Sequence, residues 1–230
     1  MLFGRNQEPP APGFEWDRDG PWEAHAVRSR REKIEYDDET YVCRLRESPD
    51  GSWRIAYGTP GRDGQSRGFL FHDGSLEWTT LLDHPTVGLV ADDGSVVVLE
   101  GGASDRLEGT VRAFDATGAR LFDREFDVNV SDVALSADGR VAAVQTNPPD
   151  ATTHLFDVPD GERRLTHATD WASPSYVRLY SSDRTWYAYL STSLEKKPLY
   201  AIDLDGTVVW ESRSFRQMKP LSARIKSRLS

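Results

Sequence analysis

Short apolar runs separated by polar turns dominate the chain from residue 41 to residue 213. Four of these runs are four or five residues long and almost continuously apolar or aromatic. Such runs are typical of strands that are buried on both faces of a sheet. These predicted inner strands lie at 53–57, 96–99, 141–144 and 186–190.

Two further strand patterns follow each predicted inner strand. The first pattern ends just before a turn, at 68–71, 111–114, 154–156 and 199–202. The second follows that turn, at 76–78, 120–122, 163–165 and 208–210. Polar and apolar residues alternate more visibly in this second group, as expected for a half-exposed outer strand.

Two series of turns recur along the chain with the same spacing. The first contains Asp50, Asp93, Asp138 and Asp183, at intervals of 43, 45 and 45 residues. The second series is marked by the residue that directly precedes a glycine. These residues are at positions 73, 117, 160 and 205, at intervals of 44, 43 and 45. Asp-Gly is a frequent hairpin turn because glycine accepts a positive φ at little cost. The two series together predict an internal repeat of about 44 residues.

This repeat predicts an all-β protein, a small β-propeller or propeller-like array of four four-stranded blades. Each unit consists of a strand, a turn, an inner strand, a longer loop, a third strand, a second turn and an outer strand. The predicted units are 41–83, 84–126, 127–169 and 172–213. The domain prediction is an N-terminal segment at 1–40 with one hairpin and a charged linker, a four-blade domain at 41–213, and a basic tail at 214–230 that is a short helix or a disordered end.

The N-terminal segment leaves the closure of the ring open. Residues 14–27 resemble the outer hairpin of a blade, with Asp19-Gly20 as its turn, and the charged stretch 28–39 is predicted to be a loop or linker. Three closures follow: a four-bladed ring with an N-terminal cap, a five-bladed ring with a split blade, or two open arrays paired into a larger ring. Closure matters because an open array exposes unpaired strand edges.

Parts of the repeat resemble known propeller families. Residues 199–210, LYAIDLDGTVVW, resemble the repeat of PQQ-like (quinoprotein-like) propellers, and the Ser-x-Asp-Gly turns resemble those of WD40-like blades. The resemblance covers about 170 residues at the repeat period and implies the fold alone. The Trp-Asp and Gly-His pairs of typical WD40 blades are missing, and no quinone or metal ligands can be mapped.

Composition bounds the function further. The net charge is -9, which disfavours general binding of nucleic acid by the body of the protein. Arginine greatly outnumbers lysine, and with the aspartate-rich acids this composition resembles that of haloarchaeal or high-GC organisms. Cys43 is the only cysteine, so no intrachain disulfide forms, and a buried thiol is expected. We find neither a signal-peptide run nor an apolar stretch of membrane-spanning length, so the cytoplasm is the expected location.

Patterns that support catalysis are missing from the sequence. It contains no phosphate-binding glycine loop, no Gly-x-Ser-x-Gly elbow and no His/Cys pair with metal-ligand spacing. The aspartates of the turns are better explained by hydrogen bonds to their own backbone than by calcium binding. We therefore predict no catalytic residue, no metal and no cofactor.

The longer loops and the connections between units are the expected binding surface, because loops on a rigid scaffold commonly carry function. Trp171 stands out there: an exposed indole would anchor a partner, and a buried one would plug the ring. The candidate partner-binding residues are Arg62, Arg67, His84, Arg106, Asp170, Trp171, Lys196 and Lys197.

The C-terminal tail has a strongly basic composition, with no acid after Glu211. Leu221, Ile225 and Leu229 are spaced as one stripe of a helix. The candidate tail contacts are Arg216, Lys219, Arg224, Lys226 and Arg228. Three functions remain: a non-catalytic protein-protein interaction module (a scaffold), a small-molecule-binding or enzymatic propeller with an axial site, and a nucleic-acid- or ribosome-associated factor that uses this tail.

Overall fold

Four antiparallel sheets form the body of the molecule. The structure, a computed structural model, describes residues 30–61, 64–101, 108–170, 172–182, 185–192 and 198–220. In these residues the strands are β1 (Arg30–Tyr36), β2 (Glu39–Glu47), β3 (Trp53–Thr59), β4 (Ser66–His72), β5 (Ser75–Leu82), β6 (Pro85–Val90), β7 (Val96–Gly101), β8 (Gly109–Phe114), β9 (Arg120–Phe126), β10 (Val130–Leu135), β11 (Val141–Thr146), β12 (Thr153–Asp157), β13 (Arg163–His167), β14 (Tyr176–Ser182), β15 (Thr185–Ser191), β16 (Tyr200–Asp203) and β17 (Val208–Glu211), and a short helix, α1 (Arg213–Met218), follows them.

Each sheet is a simple meander in which consecutive strands pair. Blade 1 contains β1–β5, blade 2 β6–β9, blade 3 β10–β13 and blade 4 β14–β17. The predicted fold class and the predicted order of strands and turns within a unit are confirmed. The proposed N-terminal hairpin at 14–27 lies outside the described residues.

One expectation was wrong: residues 30–36, predicted to be part of a loop or linker, form the strand β1. It pairs with β2 from Arg30↔Leu45 to Tyr36↔Glu39. Ile34 and Tyr36 on one face pack on the apolar cluster of blade 1. The intervening residues are charged and exposed, as is common in an edge strand that must not pair with another chain. These charges hid the alternation.

The first and third turns of the first series share one hydrogen-bond pattern, which explains their Ser-x-Asp-Gly sequence. The Ser48 hydroxyl donates to Asp50 (2.7 Å) and accepts from the Trp53 amide (3.0 Å). In blade 3, Ser136 does the same with Asp138 (2.7 Å) and the amide of Val141 (2.9 Å). The serine and aspartate thus satisfy backbone and side-chain donors where the chain reverses.

Three of the apolar clusters of the core lie between neighbouring blades, and the inner strands of blades 2 and 3, β7 and β11, each contribute to two of them. In β7, Val96 and Val98 belong to the cluster shared with blade 1. Val97 and Leu99 of the same strand belong to the cluster shared with blade 3. Side chains of a strand alternate between its faces, so a strand between two blades is apolar at every position.

Neighbouring blades also meet through a contact that is repeated three times. A Cβ placed on Gly118, in the turn before β9, would lie 2.8 Å from the Trp78 side chain of the preceding blade. Gly161 approaches Phe122 in the same way (2.6 Å), and Gly206 approaches Leu165 (2.9 Å). The matching glycine of blade 1, Gly74, has no described atom within 4 Å of such a Cβ. The glycines therefore allow each of the later blades to pack closely on the blade before it.

Helix α1 is anchored on blade 4, which confirms the predicted short C-terminal helix. Ser212 caps it by accepting a hydrogen bond from the Phe215 amide (3.1 Å). The ring of Phe215 is buried and stacks on Tyr200, with 4.4 Å between the ring centroids. The stripe of Leu221, Ile225 and Leu229 lies outside the described residues.

Cys43 is buried in the apolar cluster of blade 1, and this burial raises the pKa of its thiol to about 12. We expect a thiol reagent at pH 8 to leave the folded protein unlabelled and to modify Cys43 only after unfolding in urea, because the thiolate is the reactive form. Mass spectrometry of the labelled protein measures both reactions. Rapid labelling of the folded protein would contradict the buried position.

Candidate ligand cleft on the loop face

The longer connections lie together at one end of the sheets, which we call the loop face. Its described residues are 37–38, 60–61, 64–65, 83–84, 108, 127–129, 147–152, 168–170, 172–175, 192 and 198–199. Backbone hydrogen bonds join these connections, such as Asn147 N to Asn129 O (2.8 Å) and Gly101 N to His84 O (3.0 Å). The loop face is therefore held by the strands beneath it.

A buried carboxylate fixes the connection between blades 1 and 2. Glu100, at the end of β7, is only 2% exposed and accepts a hydrogen bond from the Asp83 amide (2.8 Å). Arg112 of β8 pairs with Glu100 (2.7 Å) and with the Asp83 carboxylate (3.3 Å). Desolvation by burial nonetheless raises the pKa of Glu100, and Arg112 opposes that rise. This network orders the loop face beside His84.

A cleft of about 580 Å³ lies between blades 2 and 3 and reaches the loop face. Residues 124–128, from the end of β9 and the connection after it, form one side of the cleft. Asp150, His154, Phe156 and Arg163 of blade 3 form the other side. The cleft thus combines aromatic walls with charged groups of both signs.

His154 is the most buried titratable group in this cleft, with a side chain only 10% exposed. Its ring packs on Phe126, 5.2 Å between centroids, and its Nδ1 lies 3.4 Å from the Thr166 hydroxyl. Its Nε2 has no hydrogen-bond partner among the described residues, and the Asp150 carboxylate is 4.0 Å away. Most buried polar atoms have a hydrogen-bond partner, so the gap beside Nε2 is unusual.

The protonation state of His154 is set by burial and by two neighbouring charged groups. Desolvation lowers the pKa of His154, Asp150 opposes that effect, and Arg163 adds to it. The imidazole is therefore neutral at neutral pH. Asp150 is oriented by Thr146, whose buried hydroxyl donates to its Oδ2 (2.7 Å).

Arg124, at the inner end of the cleft, has a structural role. Its Nη1 donates to the carbonyl of Asp123 (2.8 Å), and its Nη2 donates to the carbonyl of Gly161 in blade 3. The guanidinium also lies over the ring of Phe122, 5.5 Å from the centroid. These contacts join blade 2 to blade 3 and use donors that a ligand would otherwise engage.

The predicted partner-binding residues have different environments. His84 and Asp170 are exposed in connections of the loop face. Arg67 is half-buried at the start of β4, where its guanidinium lies over Tyr36 (5.0 Å from the centroid) and donates to Thr79 (3.3 Å). Five candidates lie outside the described residues: Arg62, Arg106, Trp171, Lys196 and Lys197.

Two of the predicted tail contacts are described. Arg216 is exposed on α1. Lys219 forms an ion pair with Glu211 and lies 5.0 Å from the centroid of the Phe215 ring. Lys219 thus helps to hold the helix on blade 4. Arg224, Lys226 and Arg228 lie outside the described residues.

Sequence reasoning missed the cleft, because its two sides come from different blades and are separated by 22 to 39 residues in the sequence. In the sequence, His154 is one of five scattered histidines. The one local indication that the side chain of His154 faces another blade is that this residue lies in a strand rather than in a turn. Across the described ranges, no three His, Cys, Asp or Glu side chains are placed to hold a metal ion.

Within the described part of the chain, no helix has the length and hydrophobicity needed to cross a membrane.

No protein-family model and no curated protein matches this chain. Among solved structures it is similar to hydrazine synthase from Kuenenia stuttgartiensis (21% identity, TM-score 0.48, covering 72% of this chain and 47% of the other). It is also similar to BamB from Moraxella catarrhalis (18%, 0.47, 76% and 50%) and to the β-propeller domain of Cps50 (Swd1) from Myceliophteria thermophila (13%, 0.47, 65% and 48%). The chain spans about half the length of each of these three.

Proposed function

We propose that this chain is a non-catalytic protein-protein interaction module that presents its loop face to a partner. The observation that carries the proposal is an exposed set of connections fixed on buried strands, with a cleft between two blades. A surface that is ordered before binding loses little conformational entropy when a partner docks. Exposed polar and charged side chains such as His84 and Asp127 would then select the partner by complementarity.

The test is to compare proteins captured from the native host by two variants with altered charge. The double variant His84→Glu and Asp127→Lys alters the side-chain charges in two connections of the loop face, the one between blades 1 and 2 and the one between blades 2 and 3. Glu162→Lys changes an exposed residue in the turn between β12 and β13, at the opposite end of the sheets. Affinity purification with quantitative mass spectrometry should show a partner that the first variant loses by about tenfold or more and the second retains.

Two outcomes would contradict the proposal. One is equal capture of every protein by the wild type and both variants. The other is loss of the partner from the Glu162→Lys variant alone, which would place binding at the opposite end. Equal unfolding midpoints for the three proteins are the control that the substitutions act on the surface.

A further inference from the structure

We propose that residues 14–27 pack on blade 4 and cover the side of its sheet that faces away from blade 3. This side, which we call the aromatic face, carries Tyr176, Tyr180, Tyr187, Tyr189, Val209 and Trp210. The proposal goes beyond the interaction function and does not depend on it. It assigns to the segment before β1 a binding surface within its own chain, where it takes the place of a further blade.

The aromatic face is the side of blade 4 on which a next blade would lie. Trp78, Phe122 and Leu165 each pack against the glycine turn of the blade that follows their own. Each of them comes four residues after the glycine of its own turn, and Trp210 follows Gly206 by the same four residues. Trp210 therefore occupies the position that meets the next blade in blades 1, 2 and 3.

The aromatic face is covered, although the described residues contain no fifth sheet. Trp210 is 8% exposed, close to the 9% of Trp78 and the 6% of Phe122 beneath their glycine turns, and Tyr189 is fully buried. A side chain on the face of a sheet is buried to this extent when a second layer packs on it. All described members of this cluster belong to blade 4, and Phe215 of α1 belongs to the cluster shared with blade 3. The covering layer therefore comes from another part of the chain.

Residues 17–20 repeat the turn sequence of the blades. Asp203 accepts hydrogen bonds from the amides two and four residues after it (3.0 and 2.8 Å), and a glycine stands three residues after it. Asp115 has the same two partners (2.8 and 2.9 Å) and the same glycine. Asp17 precedes Gly20 by the same three residues. Pro21 has no amide hydrogen to donate, so this turn would keep one of the two hydrogen bonds.

The aromatic residues before this turn match side chains that face the preceding blade. Tyr200 and Ile202 stand six and four residues before the turn glycine of blade 4, and both belong to the cluster shared with blade 3. Phe14 and Trp16 stand at the same distances before Gly20. By this alignment they would face blade 4, where their rings can pack against the tyrosines and the indole.

The chain before β1 is long enough to reach blade 4. β1 begins at Arg30, which pairs with Leu45 at the end of the sheets where the second series of turns lies. Gly20 precedes Arg30 by ten residues. An extended segment of this length spans up to about 33 Å, and packed sheets are only about 10 Å apart.

A spin label in the segment tests the proposal in the full chain. Asp19→Cys places the label at the position that matches Asp205, which is exposed in the turn of blade 4. Cys43 is buried and should stay unlabelled in the folded protein. We expect the indole NMR signal of Trp210 to lose most of its intensity until the nitroxide is reduced. The signal of Trp78, which lies between blades 1 and 2, should be affected much less.

A mixed sample distinguishes this segment from a second copy of the chain. Wild-type protein enriched in ¹⁵N, mixed with unenriched Asp19→Cys protein that carries the nitroxide, should keep the full Trp210 signal. Loss of intensity in the mixture would assign the covering layer to a second copy. Full intensity in the spin-labelled chain itself would assign it to a different segment, such as residues 221–230. Either result would overturn the proposal.

A second measurement is independent of the label. Trp16→Ala and Trp210→Ala should each raise the equilibrium constant for unfolding. Their combined effect should fall short of the product of the single effects by about threefold or more, as for residues in contact. Trp16→Ala combined with Trp78→Ala is the matched control, and these effects should multiply to within about twofold. Effects that multiply in both pairs would contradict the contact between the segment and blade 4.

Discussion

Replacing Asp132 by alanine is expected to lower the free energy of unfolding by about 3–5 kcal/mol, because it removes the carboxylate that pairs with a buried guanidinium between two blades. Asp132 of blade 3 accepts hydrogen bonds from the Arg178 guanidinium and, at 3.0 Å, from the Val177 amide of blade 4. The side chains are 11% and 6% exposed for Asp132 and Arg178. Urea denaturation followed by tryptophan fluorescence measures the loss.

The matched control is an ion pair at the surface. Arg164 and Asp157 pair at 2.6 Å, with side chains 40% and 29% exposed. Because solvent screens this pair, Asp157→Ala should cost only about 0–1 kcal/mol. Losses of similar size at Asp132 and Asp157 would show that the pair between blades 3 and 4 does not stabilise their packing.

The Gly118→Ala substitution is expected to cost about 2–5 kcal/mol. Its φ of 84° lies in the left-handed region, where a Cβ costs about 1–2 kcal/mol. The new Cβ would also lie 2.8 Å from Trp78, at the base of a buried indole that cannot swing away. Relief of such a contact costs a further amount of about 1–3 kcal/mol. Urea titration with a comparison of m-values measures the change.

Gly74→Ala provides the internal comparison, because the two glycines differ only in their neighbours. Gly74 occupies the same turn of blade 1 with a φ of 83°, and no described atom lies within 4 Å of the position that its new methyl group would take. It should therefore lose only the backbone contribution of about 1–2 kcal/mol. Equal losses in the free energy of unfolding at the two positions would mean that Trp78 moves aside at no cost and that the blades are not closely packed at Gly118.

The repeat period predicted the four blades because the turn chemistry is local. Ser48, Asp50 and the glycine after them meet one another within a few residues, so their pattern is visible along the chain. The continuous apolar run of β7 likewise indicated a strand covered on both faces, and the clusters of Val96 and Val97 confirm it.

The rest of the molecule depends on residues that are distant in sequence. The charges of β1 hid an edge strand whose apolar face becomes evident only beside β2. The cleft could not be found because Phe126 and His154 come from different blades, and the packing angle between blades is not encoded in either segment. Arg67 was expected to bind a partner, but its environment depends on Tyr36 of a strand that had not been predicted.

The alternation of β7 between two apolar layers has a consequence for how the molecule comes apart. Blades 2 and 3 each contribute side chains to the apolar clusters shared with both neighbouring blades, so neither blade has a complete core of its own. Unfolding of either blade would expose apolar surface on two neighbouring blades at once. Nearest-neighbour coupling of this kind makes adjacent blades, rather than single ones, the cooperative unit of folding.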